Sequence, residues 1–188
     1  MYNGLETMQN DIDVIVRVRA GDTEAFRSIV ERYERPLLSV VQHLARNAAD
    51  AEDVAQEVFL TAFEKLDSFD PARSHFSTWL FTIARNKTIN ANKKKRAQPL
   101  SALPERHSRE NCTDRAEYEE LFDHLDAGLN ALPAKQRRAF VLAQMEELPY
   151  EEIARIEGTR VGTIKSRVNR ARKKLQASWA SGLGDHDE

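Results

Sequence analysis

The chain has 188 residues, 41% of them apolar and 31% charged, with a formal net charge of −2. That balance suits a soluble globular protein of one or two small domains. It argues against a membrane-spanning or secreted protein, because no long uncharged apolar run exists and the N-terminal MYNGLETMQNDIDV has neither basic flank nor apolar stretch.

A single cysteine, Cys112, leaves no internal disulfide and no cysteine-rich zinc site, which fits a reducing cytoplasm. The five histidines are scattered, and no phosphate-cradling glycine loop is present, so neither a metal nor a cofactor is expected. With seven glycines, six prolines and few β-branched runs, the chain reads as all-α. The small net charge hides strong segregation. Residues 1–64 carry six basic and twelve acidic residues, whereas 85–96 hold Arg85, Lys87, Lys93, Lys94, Lys95 and Arg96 with no acid. Residues 105–126 are acidic again, and 160–174 hold seven basic residues and no acid. Two cationic patches between acidic stretches point to a nucleic-acid surface together with a surface of another kind.

In chain order, Ile12 to Arg19 reads as a short helix. Asp22 is placed to cap the next, in which Phe26, Ile29, Val30 and Tyr33 recur with helical period, and Pro36 is expected to kink or break it before Leu37 to Leu44. Asp50 is the expected cap of a third helix with an apolar stripe of Val54, Val58, Phe59, Ala62, Phe63 and Leu66. A fourth starts near Ser74 to Ser77, buries Phe76, Trp79, Leu80, Ile83 and Ala84, and runs into the Lys/Arg cluster. Residues 97–116 (AQPLSALPERHSRENCTDRA) read as a linker. Extended at roughly 3.3 Å per residue, it could span about 66 Å, comparable to two turns of B-DNA.

A helix from about Asp114 to Leu129 buries Leu121, Phe122, Leu125 and Leu129. Pro133 suits the first turn of the next, which carries Ala139, Val141, Leu142 and Met145. After Leu148-Pro149 comes a helix over Tyr150 to Ile156, a turn at Glu157-Gly158-Thr159, and a helix from Val161 to about Leu175. That is a helix-turn-helix pattern. On the last helix Val161, Ile164, Val168, Ala171 and Leu175 share one face. Gly162, Ser166, Asn169, Arg170 and Lys173 lie opposite, flanked by Thr163, Lys165, Arg167, Arg172 and Lys174. Arg and Lys bond guanine, Asn adenine and Ser either base, while the remaining cations neutralise phosphates. The competing description is a solvated basic helix; the glycine turn and the helix before it favour DNA reading.

The stretch LPYEEIARIEGTRVGTIKSRVNRARKKL resembles the helix-turn-helix of bacterial RNA polymerase sigma factors of the extracytoplasmic-function type. DAEDVAQEVFLTAFEKLDSF followed by FSTWLFTIARNKTINANKKKR is similar to that family's core-binding and −10-element helices, in the same order. The likeness runs from about Asp11 to Leu175. It departs at Pro149, where the family often has a capping serine. It implies two small helical domains joined by a flexible linker: a region 2-like domain over 1–96, the linker over 97–116, and a region 4-like domain over 117–180. No room is expected for the extra domains of primary sigma factors.

Three surfaces follow from the resemblance. For the −35 element it implies Arg160, Thr163, Lys165, Ser166, Arg167, Asn169, Arg170 and Lys173. For the −10 element it implies Ser74, His75 and Phe76 in or near a loop that pockets a flipped base, with Asn86 and Asn90 on an adjoining helix face. Lys87, Lys93, Lys94 and Arg96 would hold phosphates. Asp53, Glu57, Leu60 and Glu64 recur on one stripe of the third helix beside Gln56 and Thr61. By resemblance they dock the coiled coil of the polymerase β′ subunit, although an ordinary solvated acidic face has the same pattern. Further partners implied are the β flap, promoter DNA and an anti-sigma factor. The expected role is promoter-specific transcription initiation, not catalysis. A stand-alone helix-turn-helix repressor is the rival; it would normally dimerise, and no sustained heptad marks a dimer helix. A metal-dependent nuclease built on Asp50, Glu52, Asp53 and Glu57 fits poorly, since no histidine or lysine partner lies nearby in sequence. Cys112 stands alone, without a second cysteine for a redox pair.

Overall fold

The computed structural model describes residues 4–45, 49–96 and 125–182, and every element among them is helical. The chain divides into two compact units, the first built on residues 1–99 and the second on most of 100–188. The proposed linker, Cys112, Leu121 and Phe122 lie outside the described residues.

The first unit comprises α1 (Gly4–Arg19), α2 (Phe26–Leu44), α3 (Ala49–Glu64) and α4 (Phe76–Arg96), with single 3-10 turns at Thr23–Ala25 and Leu66–Ser68. α2 packs on α3 and α4, and α1 lies against α2. Ile15, Ile29, Tyr33, Leu37, Val40, Val41, Val58, Ala62, Leu80 and Ala84 form the core. Each large apolar side chain among them contributes roughly 1.5–3 kcal/mol by leaving water.

Three local expectations change here. Pro36 lies inside α2 and does not end it. Ile29 and Tyr33 precede it and Leu37, Val40 and Val41 follow it on the buried face. That burial outweighs the roughly 3 kcal/mol cost of an interior proline. α1 is twice the expected length, and Asp50 is the second residue of α3, not its cap. Asp22 does cap, with its Oδ1 accepting from Ala25 N at 3.3 Å, but through the 3-10 turn that leads into α2.

A buried polar contact ties α1 to α2. Tyr33 Oη donates to Asp11 Oδ2 at 2.6 Å, and Arg32 Nη1 donates to Asp11 Oδ1. Burial pushes the Asp11 carboxyl above its ordinary range, against the lowering effect of Tyr33 and Arg32.

The second unit comprises α5 (residues 125–131), α6 (Ala134–Gln144), α7 (Tyr150–Glu157) and α8 (Val161–Gly182). Leu129, Leu132, Ala139, Val141, Leu142, Ile153, Ile164, Val168 and Ala171 are buried. Gly128 lets α5 approach α8, since a Cβ there would stand 2.9 Å from Leu175 Cδ2. Pro133 sits at the N-cap of α6, not in its first turn, and its carbonyl accepts from Gln136 N at 2.8 Å.

Candidate nucleic-acid interface

The recognition-type helix is prepared by the turn before it. Gly158 has φ +62°, a left-handed conformation that suits glycine, and Thr159 N closes onto Ala154 O at 2.9 Å. The carbonyl of Arg160 then receives Thr163 N at 2.9 Å and Ile164 N at 3.2 Å, which starts α8. At the other end of α7, Pro149 stands just before the helix, and its carbonyl takes the amides of Glu152 and Ile153 at 3.0 and 3.1 Å. Proline has no side-chain cap to offer, yet its carbonyl still receives the first helical hydrogen bonds.

Ile164, Val168, Ala171 and Leu175 are buried and Val161 is half-buried, so the inner face is the expected one. Arg160, Lys165, Asn169, Arg170 and Lys173 are exposed, and Thr163, Ser166 and Arg167 are half-buried. From Arg160 to Lys173 this face is about 20 Å long at the helical rise. The N-terminal end of α8 also presents free amides and the positive end of the helix dipole, which favour a phosphate. Arg172 Nη2 donates to Gln144 Oε1 at 3.2 Å and so is tied to α6. A shallow apolar groove beside this contact is lined by Leu125, Phe140, Leu175 and Trp179.

In the first unit, Ser74 and His75 are half-buried at the end of the loop that precedes α4. Phe76 is buried, not presented to solvent. Its ring packs against Tyr33 at 5.7 Å, Phe69 at 5.5 Å and Trp79 at 5.6 Å, so it anchors the loop. Leu80 and Ala84 are buried as expected, whereas Trp79 and Ile83 are half-buried. Asn86, Asn90 and Lys93 are exposed along α4, and the Oδ1 of Asn86 accepts from Arg85 Nη1 at 2.9 Å. Lys94 and Arg96 belong to α4, but their side chains lie outside the described residues.

The stripe on α3 is exposed at Asp53, Gln56, Glu57, Leu60 and Glu64 and half-buried at Thr61. Leu60 is 63% exposed amid these carboxylates. Phe63 departs from the expected core stripe: it is 40% exposed, with its ring edge-on to Phe26 at 5.2 Å. Phe59 is likewise only half-buried.

One pairing crosses two expected surfaces. Lys87 Nζ, expected to hold phosphate, stands 3.1 Å from Glu57 Oε2, expected to meet the polymerase. Sequence periodicity treats each helix alone and cannot find it. The backbone contacts of Arg19, described below, were missed for the same reason.

The geometry defines a class: a helical protein with an outward-facing basic helix after a glycine turn, and a separate helical unit with an acidic, partly apolar ridge. Residues 29–98 match the family description Sigma-70 region 2, and residues 123–175 match Sigma-70, region 4. The chain is 35% identical over 182 residues to the ECF RNA polymerase sigma factor SigW of Bacillus subtilis (strain 168), covering 86% of this chain and 92% of that one. The solved structure of CnrH in complex with the cytosolic domain of CnrY superposes with a TM-score of 0.69 and 27% identity, over 95% of this chain and 99% of that chain. The sigma factor RpoE in complex with the anti-sigma factor NepR from Bartonella quintana gives 0.68 and 29%, over 82% and 96%. The chain belongs to the sigma-70 family, among the ECF RNA polymerase sigma factors. Among the described residues, no helix is long and apolar enough to cross a membrane.

Proposed function

We propose that this sigma factor joins core RNA polymerase in the cytoplasm through the α3 ridge, and that the two units then recognise the promoter at separate elements. Arg160, Thr163, Lys165, Ser166, Arg167, Asn169, Arg170 and Lys173 read the −35 duplex from the major groove. Ser74 and His75, on the loop anchored by Phe76, take an unpaired −10 base. Asn86 and Asn90 offer amides to the opened strand, and Lys87, Lys93, Lys94 and Arg96 hold its phosphates. Asp53, Gln56, Glu57, Leu60, Thr61 and Glu64 engage the β′ coiled coil, and the β flap is a further partner.

The role needs no bond-making chemistry in this chain. Binding free energy, released on capture of the single strand, drives the melting of the duplex. The unit boundaries proposed for these tasks are 1–96 and 117–180, with 97–116 as tether.

The observation that carries the reading is the asymmetry of α8. Its buried residues are apolar, while residues 160–174 present seven cations and no acid. NepR is an anti-sigma factor bound to a sigma factor in the structure cited above. A protein of that kind is proposed to hold the present chain inactive as well.

A gel shift on promoter DNA, with and without core polymerase, tests the proposal. Specific binding is expected only when core is present. Tight, specific binding by the free chain as a dimer would indicate a stand-alone repressor instead.

A further inference from the structure

We infer that Arg19 is a positioning residue for −10 capture: it fixes the base of the loop that carries Ser74 and His75. The inference rests on the reading that this loop takes an unpaired base.

Arg19 is the last residue of α1, yet its guanidinium works 47 and 50 residues further along the chain. Nη2 donates to Leu66 O and to Phe69 O, each at 2.6 Å. Nε lies 3.7 Å from Asp67 Oδ1. One planar group thus joins the first carbonyl of the 3-10 turn to that of Phe69 just past it, where the chain becomes extended. Leu66 O also receives Phe69 N at 3.0 Å, so the guanidinium adds a second donor to that carbonyl and braces Phe69 O beside it.

The loop departs from that clamp. Asp70 folds it into a tight turn, with its Oδ1 accepting from Ala72 N at 2.9 Å and its carbonyl from Arg73 N at 3.1 Å. At the far end His75 O receives Trp79 N at 3.2 Å, and Phe76 is locked by rings. The Phe69 ring touches Phe76 and Trp79, both at 5.5 Å, so the two ends of the loop share one aromatic seat. Residues 70–75 therefore hang between two fixed points. One of them is held at the backbone by Arg19. A base pocket on the loop depends on that clamp for its placement, and small misplacements of reacting or binding groups cost large factors in rate.

The test uses holoenzyme assembled from full-length chain and core polymerase. R19K keeps the charge but loses the planar fork; R19A loses both. For each variant, −10 opening is followed by fluorescence of a base analogue on promoters varied at each −10 position. Core affinity and thermal midpoint are measured alongside. Arg19→Lys is expected to slow opening about tenfold and to flatten discrimination at one −10 position, with core affinity unchanged; Arg19→Ala should do more. A control, His75→Ala, reports on the loop itself. If His75→Ala flattens discrimination and Arg19→Lys does not, the inference is overturned while the loop reading stands. If neither changes discrimination, both are overturned. Equal losses of core affinity, thermal midpoint and opening with discrimination intact would reduce Arg19 to a general stabiliser and also overturn it.

Discussion

Arg170 stands exposed on the outer face of α8, in a stretch with no acid to neutralise it. Replacing it with Ala should cost about 1–3 kcal/mol of promoter binding and relax preference at one −35 base pair. Selection from a promoter library checks this, and unchanged preference would remove its base-reading role. Arg170 was legible in the sequence because a helical period of 3.6 assigns each side chain a face, and the apolar face of α8 is unambiguous. Asp11 was not legible. Its partners Arg32 and Tyr33 lie on another helix, and contacts at that separation leave no periodic mark. Burial raises the Asp11 carboxyl above its unfolded value, so the folded state holds its proton to higher pH than the unfolded chain does. The stability contributed at this site therefore falls as pH rises from about 3.8 through the raised folded value, and it improves on acidification across that window. Asp11→Ala, by removing the hydrogen bonds that Tyr33 and Arg32 donate to this carboxyl, should cost about 1–3 kcal/mol and erase that pH dependence. Chemical denaturation across the acidic range measures both effects.

At the scale of elements, the turn between α7 and α8 makes the sharpest stability prediction. A side chain at Gly158 would meet nothing within 4 Å, so Gly158→Ala should be penalised only for its positive φ. The expected loss is about 1 kcal/mol, read as a lower thermal midpoint. No loss would mean the turn readily adopts another conformation. On α3, replacing Asp53 and Leu60 together should weaken pull-down of core polymerase while circular dichroism stays unchanged. Undiminished capture would show that the ridge is misassigned as the docking surface. Helix existence was legible from patterning, and helix ends were not. Pro36 was a misleading signal, because the missing N–H it entails is a local cost while Leu37, Val40 and Val41 bury beyond it. Phe63 misled in the other direction: it falls on the apolar side of α3, yet its ring meets Phe26 edge-on and stays 40% exposed.

For the whole molecule, on the proposed reading, two small binding units are more selective together than apart. Each is proposed to offer few base contacts. Once core polymerase holds both, the second contact becomes effectively intramolecular and gains from a high local concentration. If the cations of α8 and α4 hold phosphates as proposed, the binding is steeply dependent on salt. The cationic stretches were legible because charge segregates along the chain even though the total nearly cancels. The Lys87–Glu57 pair was not, because it joins helices that sequence patterning treats separately. The most direct test of the central claim is run-off transcription from a library of genomic fragments, with core polymerase alone and with core plus this chain. Added chain should produce transcripts from a discrete set of start sites sharing two spaced elements. Transcripts unchanged by its addition would contradict the account.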